Sequence, residues 1–306
     1  MVGLGILLVV GLLVLWGATS GFLYWRLRHP PRVRRAWAVG RGHPAEPADL
    51  GLAGEEVVFR YERGTETPGW VIRGDCPERP VVVMSHGFGD GRLRMLQLAT
   101  FVARHASAVV VYDVSAHGDS TDRKLTFAMR EPFDLVEIVD QLPEGLRDRG
   151  VVLYGCSMGA VISVRAAVLP AMKDRVRGVI LDGSYRLWWE PIDGIVRHIG
   201  CPEKPIVGLV RWLQPWIWPV VDDIDTARDV GKLDLPVLVL HGDEDPVCPV
   251  ASARAIAAAA ADSELVVFEG GTHLDLAGVD GARYDAAVER FMTAFEETAV
   301  VAGLAD

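Results

Sequence analysis

The chain has 306 residues, of which 50% are hydrophobic, and a formal net charge of −10. This length accommodates one large globular domain and a further segment outside it. The first 45 residues contain six arginines and no acidic residue, so they carry +6 and the remainder carries −16. An acidic body of this kind argues against nucleic-acid binding.

The first predicted element is an apolar helix over residues 1–25, in which Val2 to Trp25 carry no charged side chain. At about 1.5 Å per residue this run reaches roughly 36 Å, more than the bilayer core of about 30 Å. We therefore predict a single-pass transmembrane anchor. A cleaved signal peptide, with a cleavage site at Ala18-Thr19-Ser20, and a buried core helix are the alternatives. The length of the run and its start without Lys or Arg favour the retained anchor.

Arginines cluster directly after this helix, in a segment that is also rich in Pro, Gly and Ala. We interpret residues 26–54 as a basic linker, with His29-Pro30-Pro31 as a stiff exit from the membrane. Positive charge beside an apolar helix marks its cytoplasmic side and attracts anionic lipid headgroups. The sequence thus predicts that the domain at residues 55–298 faces the cytoplasm. The arginines are Arg26, Arg28, Arg32, Arg34, Arg35 and Arg41.

Short apolar runs then alternate with helix-length segments. This pattern predicts an α/β fold with a mostly parallel sheet of about eight strands and helices on both faces. The predicted strands lie at residues 57–61, 70–72, 81–84, 108–112, 151–154, 179–181, 237–240 and 265–268. The predicted helices lie at about 92–105, 132–142, 158–169, 250–261 and 282–297. Active groups in such sheets lie at the carboxyl ends of the strands.

The fifth predicted strand is followed by Gly155-Cys156-Ser157-Met158-Gly159 and then by a helix. A G-x-S-x-G element between strand and helix holds its serine on a strained turn above the sheet, where the flanking glycines permit close approach. We predict that Ser157 is a nucleophile. The alternative is a tight turn in which the serine caps the helix N-terminus.

A serine hydroxyl needs a base, and the order serine, acid, histidine is expected for this element. His273 is the histidine that follows both Ser157 and the candidate acids beyond the seventh strand. We predict that it takes the serine proton and returns it to the leaving group. Asp245 is the favoured acid, with Asp243 and Asp182 as alternatives.

A tetrahedral intermediate needs hydrogen-bond donors for its oxyanion. We predict the backbone amides of Met158, directly after the nucleophile, and of Phe88, in the loop after the third strand. His86 and His117 are interpreted as residues that hold loops by hydrogen bonds. None of the four cysteines forms a pair with metal-ligand spacing, and the sequence implies no metal or organic cofactor.

These residues together resemble the α/β-hydrolase superfamily, over about residues 55–298. His86-Gly87-Phe88 resembles its oxyanion loop, and His241-Gly242-Asp243-Glu244-Asp245 with Pro249 resembles the motif that carries its acid, which selects Asp245. The loop from Tyr112 to Ser120 is similar to the family's YDxRGHGxS loop but has Ser115 and Ala116 where Arg and Gly are common. The chain looks most like membrane-anchored bacterial members of the serine-aminopeptidase/monoacylglycerol-lipase-like group.

Residues 183–232 fit neither a single strand nor a single helix and contain five of the nine tryptophans. The resemblance implies a cap over the active site at this position. The tryptophans are interpreted as the lining of an apolar acyl pocket, as a contact with the membrane interface, or as a small core beneath the cap. They are Trp188, Trp189, Trp212, Trp216 and Trp218.

The sequence therefore predicts a serine hydrolase that cleaves carboxylic esters through an acyl-serine intermediate. Lipid-like or thioester substrates suit the membrane tether and the apolar cap, so the expected partner is a small, apolar ester. A serine peptidase on the same scaffold is the second hypothesis, and a catalytically silent binding module is the third. The complete set of Ser157, Asp245 and His273 favours an enzyme.

Overall fold

Eight strands form one sheet in the order β1-β2-β4-β3-β5-β6-β7-β8, in a computed structural model that describes residues 2–198, 207–208, 211–212 and 223–303. The first two strands pair antiparallel with their neighbours, and the other pairings are parallel. The strands are β1 Gly54–Arg60, β2 Glu66–Arg73, β3 Val81–Ser85, β4 Ala108–Tyr112, β5 Val151–Cys156, β6 Val176–Asp182, β7 Pro236–Gly242 and β8 Asp262–Phe268.

Helices connect the parallel strands and cover both faces of the sheet. In the described residues they are α1 Val2–Arg28, α2 Arg35–Val39, α3 Arg92–Val102, α4 Glu131–Asp140, α5 Glu144–Arg147, α6 Met158–Ala167, α7 Glu190–His198, α8 Thr226–Val230, α9 Val250–Ala259, α10 Leu276–Val279 and α11 Gly281–Gly303. Every residue of β3, β4 and β5 is buried, as expected for strands covered on both faces. The predicted α/β fold with its mostly parallel, eight-stranded sheet is confirmed.

The N-terminal helix α1 is apolar and exposes most of its side chains between Ile6 and Leu15. Its stretch Gly5–Arg28 is long and apolar enough to cross a membrane, and it is the one such helix in the part of the chain that the structure describes. A signal sequence near the N-terminus also meets these criteria of length and composition.

The segment that follows α1 packs against the sheet domain. The Arg32 guanidinium donates hydrogen bonds to carbonyl oxygens in the loop after β4, and Arg35 pairs with Glu46 and lies 3.9 Å from Glu56 on β1. Ala38 and Ala45 are buried in the same apolar cluster as the domain's β2 and α3. The predicted linker is therefore attached to the domain by many contacts along its length.

The predicted cap is described in part. It contains α7 and α8, which are joined to each other through the Arg186–Asp225 ion pair and a short bridge between Leu187 and Asp225. Trp188 is buried and its ring centroid lies 4.1 Å from that of Phe127, whereas Trp212 is 68% exposed. Trp216 and Trp218 lie outside the described residues.

Candidate active site

Ser157 occupies the turn between β5 and α6, with backbone angles φ 50° and ψ −113°. A non-glycine residue in this region is strained by about 1–3 kcal/mol, and such strain persists where the surroundings enforce it. Two glycines make the turn possible. A Cβ on Gly155 would lie 2.2 Å from the Gly159 carbonyl oxygen, and a Cβ on Gly159 would lie 2.0 Å from the Ser85 carbonyl oxygen.

These clashes predict a large stability effect for Gly159→Ala. The three atoms nearest to the added Cβ are all backbone atoms at the end of β3, so relief requires the strand itself to move. We expect the free energy of unfolding to fall by about 1–3 kcal/mol, the usual cost of overpacking. Urea denaturation measures it. Gly145→Ala is the matched control, because nothing lies within 4 Å of its Cβ; it should be neutral or slightly stabilising, and equal losses would contradict the argument.

Three side chains from separate strand ends form a hydrogen-bonded line. His273 Nε2 lies 3.1 Å from Ser157 Oγ, and His273 Nδ1 lies 2.7 Å from Asp245 Oδ2. An ionised carboxylate only accepts hydrogen bonds, so Nδ1 carries the proton and Nε2 is left as an acceptor for the serine hydroxyl. The structure thus brings together the three residues that the sequence analysis predicted as nucleophile, base and acid.

The Asp245 carboxylate is held on both oxygens. Oδ1 accepts hydrogen bonds from the backbone amides of Val247 and Cys248, both at 2.8 Å, and Oδ2 faces His273. Burial by itself raises the pKa of Asp245, but the hydrogen bond and charge of His273 and the two amides outweigh it, so the pKa lies below its ordinary value. The carboxylate therefore remains charged and fixed in direction.

The two alternative acids are engaged elsewhere. Asp243 is exposed and accepts a hydrogen bond from the Gly270 amide at 2.8 Å. Asp182 Oδ2 accepts hydrogen bonds from the hydroxyls of Tyr154 and Tyr284, and burial raises the pKa of this carboxyl. Asp243 thus braces a turn, and Asp182 belongs to a buried cluster with the two tyrosines.

The loop after β3 lies against the nucleophile. A Cβ on Gly87 would be 3.3 Å from Ser157 Cβ, so the loop packs directly against the serine at the residue before Phe88. The first amide of α6, that of Met158, has no acceptor within its own helix. These two amides are the ones predicted to stabilise an oxyanion.

Two buried histidines fix this loop to the loop after β4. His86 Nε2 accepts a hydrogen bond from the Val114 amide at 2.9 Å, and His117 Nε2 accepts one from the Gly89 amide at 3.0 Å. Each ring donates its other nitrogen to a nearby carbonyl oxygen. These bonds agree with the structural role that the sequence analysis gave to both histidines.

Arg94 links the loop after β3 to the loop that carries His273. Its guanidinium donates to the Leu274 carbonyl oxygen at 2.6 Å and lies 3.2 Å from the Asp90 carboxylate. Leu274 itself has a positive φ of 59°. The sequence analysis did not identify this connection, because nothing in the spacing of Arg94 relates it to a loop 180 residues away.

A cavity of about 150 Å³ opens above Ser157 and His273, and its lining is predominantly apolar. Phe88 and Phe127 stack with ring centroids 5.8 Å apart, and Trp188 packs edge-on against Phe127. For Trp188 the structure therefore favours a place in the lining of the pocket. Apart from the serine and histidine, the lining consists of Leu27, Phe88, Phe127, Met158, Tyr185, Trp188, Pro191, Ile192, Ile195, Val247 and Leu274.

Cys248 is a fourth polar group beside the line of catalytic candidates, and the sequence analysis missed it. Donor atoms of Asp245, Cys248 and His273 lie within 4.8 Å of one another, a set of ligand types that suits zinc. Burial, with the charges of Asp245 and Glu190, raises the pKa of the thiol well above its ordinary value, and metals bind the thiolate. Because both carboxylate oxygens and His273 Nδ1 are already hydrogen-bonded, the set fits a proton-transfer line better than a metal centre.

Comparison with proteins of known sequence identifies relatives over most of the domain. Residues 82–287 match the family model described as the alpha/beta hydrolase family. A 50-residue segment is 44% identical to the non-heme chloroperoxidase CPO-A1 of Kitasatospora aureofaciens but spans only 18% of that protein and 16% of this chain. The uncharacterized protein YqkD of Bacillus subtilis is 23% identical over 215 residues, 65% of this chain and 70% of that protein.

Solved structures share the fold at low sequence identity. The esterase Pf2001 of Pyrococcus furiosus superposes with a TM-score of 0.67 and 20% identity, over 87% of this chain and 98% of the esterase. A bacterial membrane phospholipase A superposes with a TM-score of 0.61 and 17% identity, over 94% of this chain and 98% of the phospholipase. The match of the family model to two thirds of the residues, together with the common fold, shows that the chain belongs to the alpha/beta hydrolase family.

Proposed function

We propose that this protein is a serine hydrolase that cleaves carboxylic esters through an acyl-serine intermediate. Family membership supports hydrolase chemistry in general. The observation that carries the specific proposal is the hydrogen-bonded line from Ser157 through His273 to Asp245, beside an apolar cavity. Esterase and phospholipase are the activities named for structural neighbours of this chain.

In the first half of the reaction, Ser157 Oγ attacks the ester carbonyl carbon while His273 Nε2 accepts the hydroxyl proton. The Asp245 carboxylate stabilises the imidazolium through Nδ1. The carbonyl oxygen becomes an oxyanion that the amides of Phe88 and Met158 stabilise, and the tetrahedral intermediate then collapses. The alcohol leaves with the proton from His273, and the acyl group remains on Ser157.

In the second half, water attacks the acyl carbon and His273 Nε2 accepts its proton. The second tetrahedral intermediate expels Ser157 Oγ, which regains the proton, and the carboxylic acid is released. Neither half requires a redox step. The apolar lining around Phe127 and Trp188 suits an acyl chain, whereas it offers few groups to hydrogen-bond a peptide backbone.

Hydrolysis of p-nitrophenyl esters from acetate to palmitate by the full-length protein tests this proposal. We expect turnover of esters. A p-nitroanilide with the same acyl group should turn over at least about a hundredfold more slowly, because its amine is a poorer leaving group than p-nitrophenolate. Near-ultraviolet circular dichroism of the same preparation is the control, because it shows whether the protein is folded. Turnover of the anilide alone would replace the ester hydrolase by a peptidase.

We further propose that α1 is a retained membrane anchor and that the domain faces the cytoplasm. The exposed apolar surface from Ile6 to Leu15 and the arginines that follow the helix support this arrangement. Such an anchor is consistent with the membrane-anchored members of the serine-aminopeptidase/monoacylglycerol-lipase-like group that the sequence resembles. We propose an anchor at residues 1–25, a basic linker at 26–54 and a hydrolase domain at 55–298, with its cap at about 183–232.

Deletion of residues 2–19 should transfer the protein from the membrane fraction to the soluble fraction, because it removes most of the exposed apolar surface of α1 and leaves too few residues to span a bilayer. Hydrolysis of p-nitrophenyl butyrate should persist, since the deletion leaves Leu27 and all contacts of the arginine-rich segment in place. Ultracentrifugation followed by immunoblotting measures the distribution. A truncated protein that still sediments with membranes would contradict anchoring by α1.

A further inference from the structure

The last turn of α1 reaches the candidate active site. Leu27 lines the same cavity as Ser157 and His273, and it packs against the apolar cluster that contains Phe127 and Trp188. The sequence analysis ended the anchor at Trp25 and placed the next residues in a linker. Leu27 instead belongs both to the apolar helix and to the pocket.

Hydrogen bonds fix this end of the helix. The Arg28 carbonyl oxygen accepts from the Leu125 amide at 3.0 Å, just before the pocket residue Phe127. Arg32 donates to the carbonyl oxygens of Ser120 at 2.5 Å and Gly118 at 3.3 Å, and also to that of Asp122. These four hydrogen bonds hold the helix end in a defined position beside the loop after β4.

One face of the second half of α1 is less exposed than the rest of the helix. Ser20 is 2% exposed, and the other members of the face are half-buried. They recur every three or four positions, as residues on one side of a helix do. In contrast Phe22, on another side, is 62% exposed. The members of this face are Trp16, Ser20, Leu23, Tyr24 and Leu27.

The flanking residues indicate the height of Leu27 above the bilayer. It lies between Arg26 and Arg28, and arginines at the end of an apolar helix extend to the headgroup region. Trp25, two residues before Leu27, is half-exposed, and tryptophan is favoured at the interface between membrane and water. With α1 as the proposed membrane anchor, the pocket wall that Leu27 forms would be level with the lipid headgroups, where ester bonds of membrane lipids also lie.

We propose that the last turn of α1 is a wall of the acyl pocket and that the substrate is an acyl amphiphile drawn from the bilayer along this helix. The proposal rests on the proposed ester hydrolysis at Ser157. The apolar chain of the substrate passes Leu27, while the ester group stays at headgroup level and meets Ser157 Oγ. The membrane helix thus determines acyl specificity in addition to holding the protein on the membrane.

The test uses the full-length protein in phosphatidylcholine vesicles with p-nitrophenyl butyrate and p-nitrophenyl palmitate as probes. Leu27→Trp should lower kcat/KM for palmitate by about tenfold or more, because the larger ring narrows the path of the chain, and should change butyrate by less than about threefold. Leu15→Trp is the matched control on the lipid-exposed part of the same helix, 64% exposed. It should leave both values within about twofold.

Leu27→Ala covers the case in which the larger variant does not fold. Loss of the wall contact should reduce kcat/KM for palmitate by about fivefold and that for butyrate by a smaller factor, so that the ratio of palmitate to butyrate falls. An independent readout is the rate at which ethyl and hexadecyl fluorophosphonates label Ser157. The hexadecyl rate should fall by a larger factor than the ethyl rate in both Leu27 variants.

The two proposals fail in different ways. If the wild-type protein hydrolyses butyrate but Leu27→Trp and Leu15→Trp have the same ratio of palmitate to butyrate, the helix is not a wall of the acyl pocket. The same conclusion follows if both Leu27 variants lower the two esters equally. If the folded wild-type protein hydrolyses neither ester, the proposed function itself is wrong, and the inference fails with it.

Discussion

Ser157→Ala should reduce kcat for p-nitrophenyl esters by about 10⁶-fold, as expected when a nucleophile that acts together with a base is removed. The hydroxyl that lies 3.1 Å from His273 Nε2 is the one group in this line that can form the acyl intermediate. Removal of a single oxygen leaves the strained backbone and both flanking glycines unchanged. Steady-state kinetics under saturating ester measures the loss.

The variant should also remain folded, because the substitution removes one oxygen atom at the edge of a pocket and leaves the packing of the surrounding strands in place. We expect its melting temperature to stay within a few degrees of that of the wild type. Only the wild type should form an acyl-enzyme, which intact-protein mass spectrometry detects after rapid quenching. Retained turnover in the variant would move the nucleophile to another residue and refute the proposed site.

Local sequence patterns predicted the parts of the protein that depend on local physics. A strand buried on both faces needs an uninterrupted apolar run, and each such run from Val81 to Phe268 is a strand. The turn at Ser157 was predictable because Gly155 and Gly159 have to lie within van der Waals distance of other backbone atoms. The position of His273 followed from chain order and from the polar loop after the last strand.

The spacing of residues did not predict contacts between distant segments. The loop after β4 has Ser115 where the resemblance suggests an arginine. Arg63, from the turn between β1 and β2, donates to Ser115 Oγ at 3.1 Å and also pairs with Asp122 and Asp134. The Arg63 guanidinium thus supplies the positive charge that an arginine at position 115 would give. No local motif predicts this, because Arg63 lies in another part of the chain.

The pocket was underpredicted for the same reason. Its walls come from the end of α1, the start of α6, α7, and the loops after β3, β4, β6, β7 and β8, so its shape depends on how these distant segments meet. An apolar residue such as Leu27 looks the same in the sequence whether it faces lipid, core or substrate. The helix limit at Trp25 followed charge alone, whereas the helix continues through Arg26 and Leu27 to Arg28.

Asp245→Asn should lower kcat/KM for esters by about 10⁴-fold, whereas Asp243→Asn should stay within about twofold of the wild type. In the first variant the amide oxygen takes the place of Oδ1 and accepts from Val247 and Cys248, since these amides can only donate. The amide nitrogen then faces His273 Nδ1 and donates to it. The imidazole proton is forced onto Nε2, which can no longer accept the proton of Ser157.

The two variants distinguish the role of Asp245 as the acid from a general effect of negative charge near the pocket. Both substitutions remove one negative charge after the same strand, but only Asp245 directs the tautomer of the base, since Asp243 merely accepts from the Gly270 amide and an asparagine oxygen does the same. Nitrogen-15 spectra of His273 should accordingly show the proton on Nδ1 in the wild type and in Asp243→Asn, and on Nε2 in Asp245→Asn. Equal activity losses with no change of tautomer would mean that negative charge near the pocket supports the reaction and that Asp245 is not the acid that orients His273.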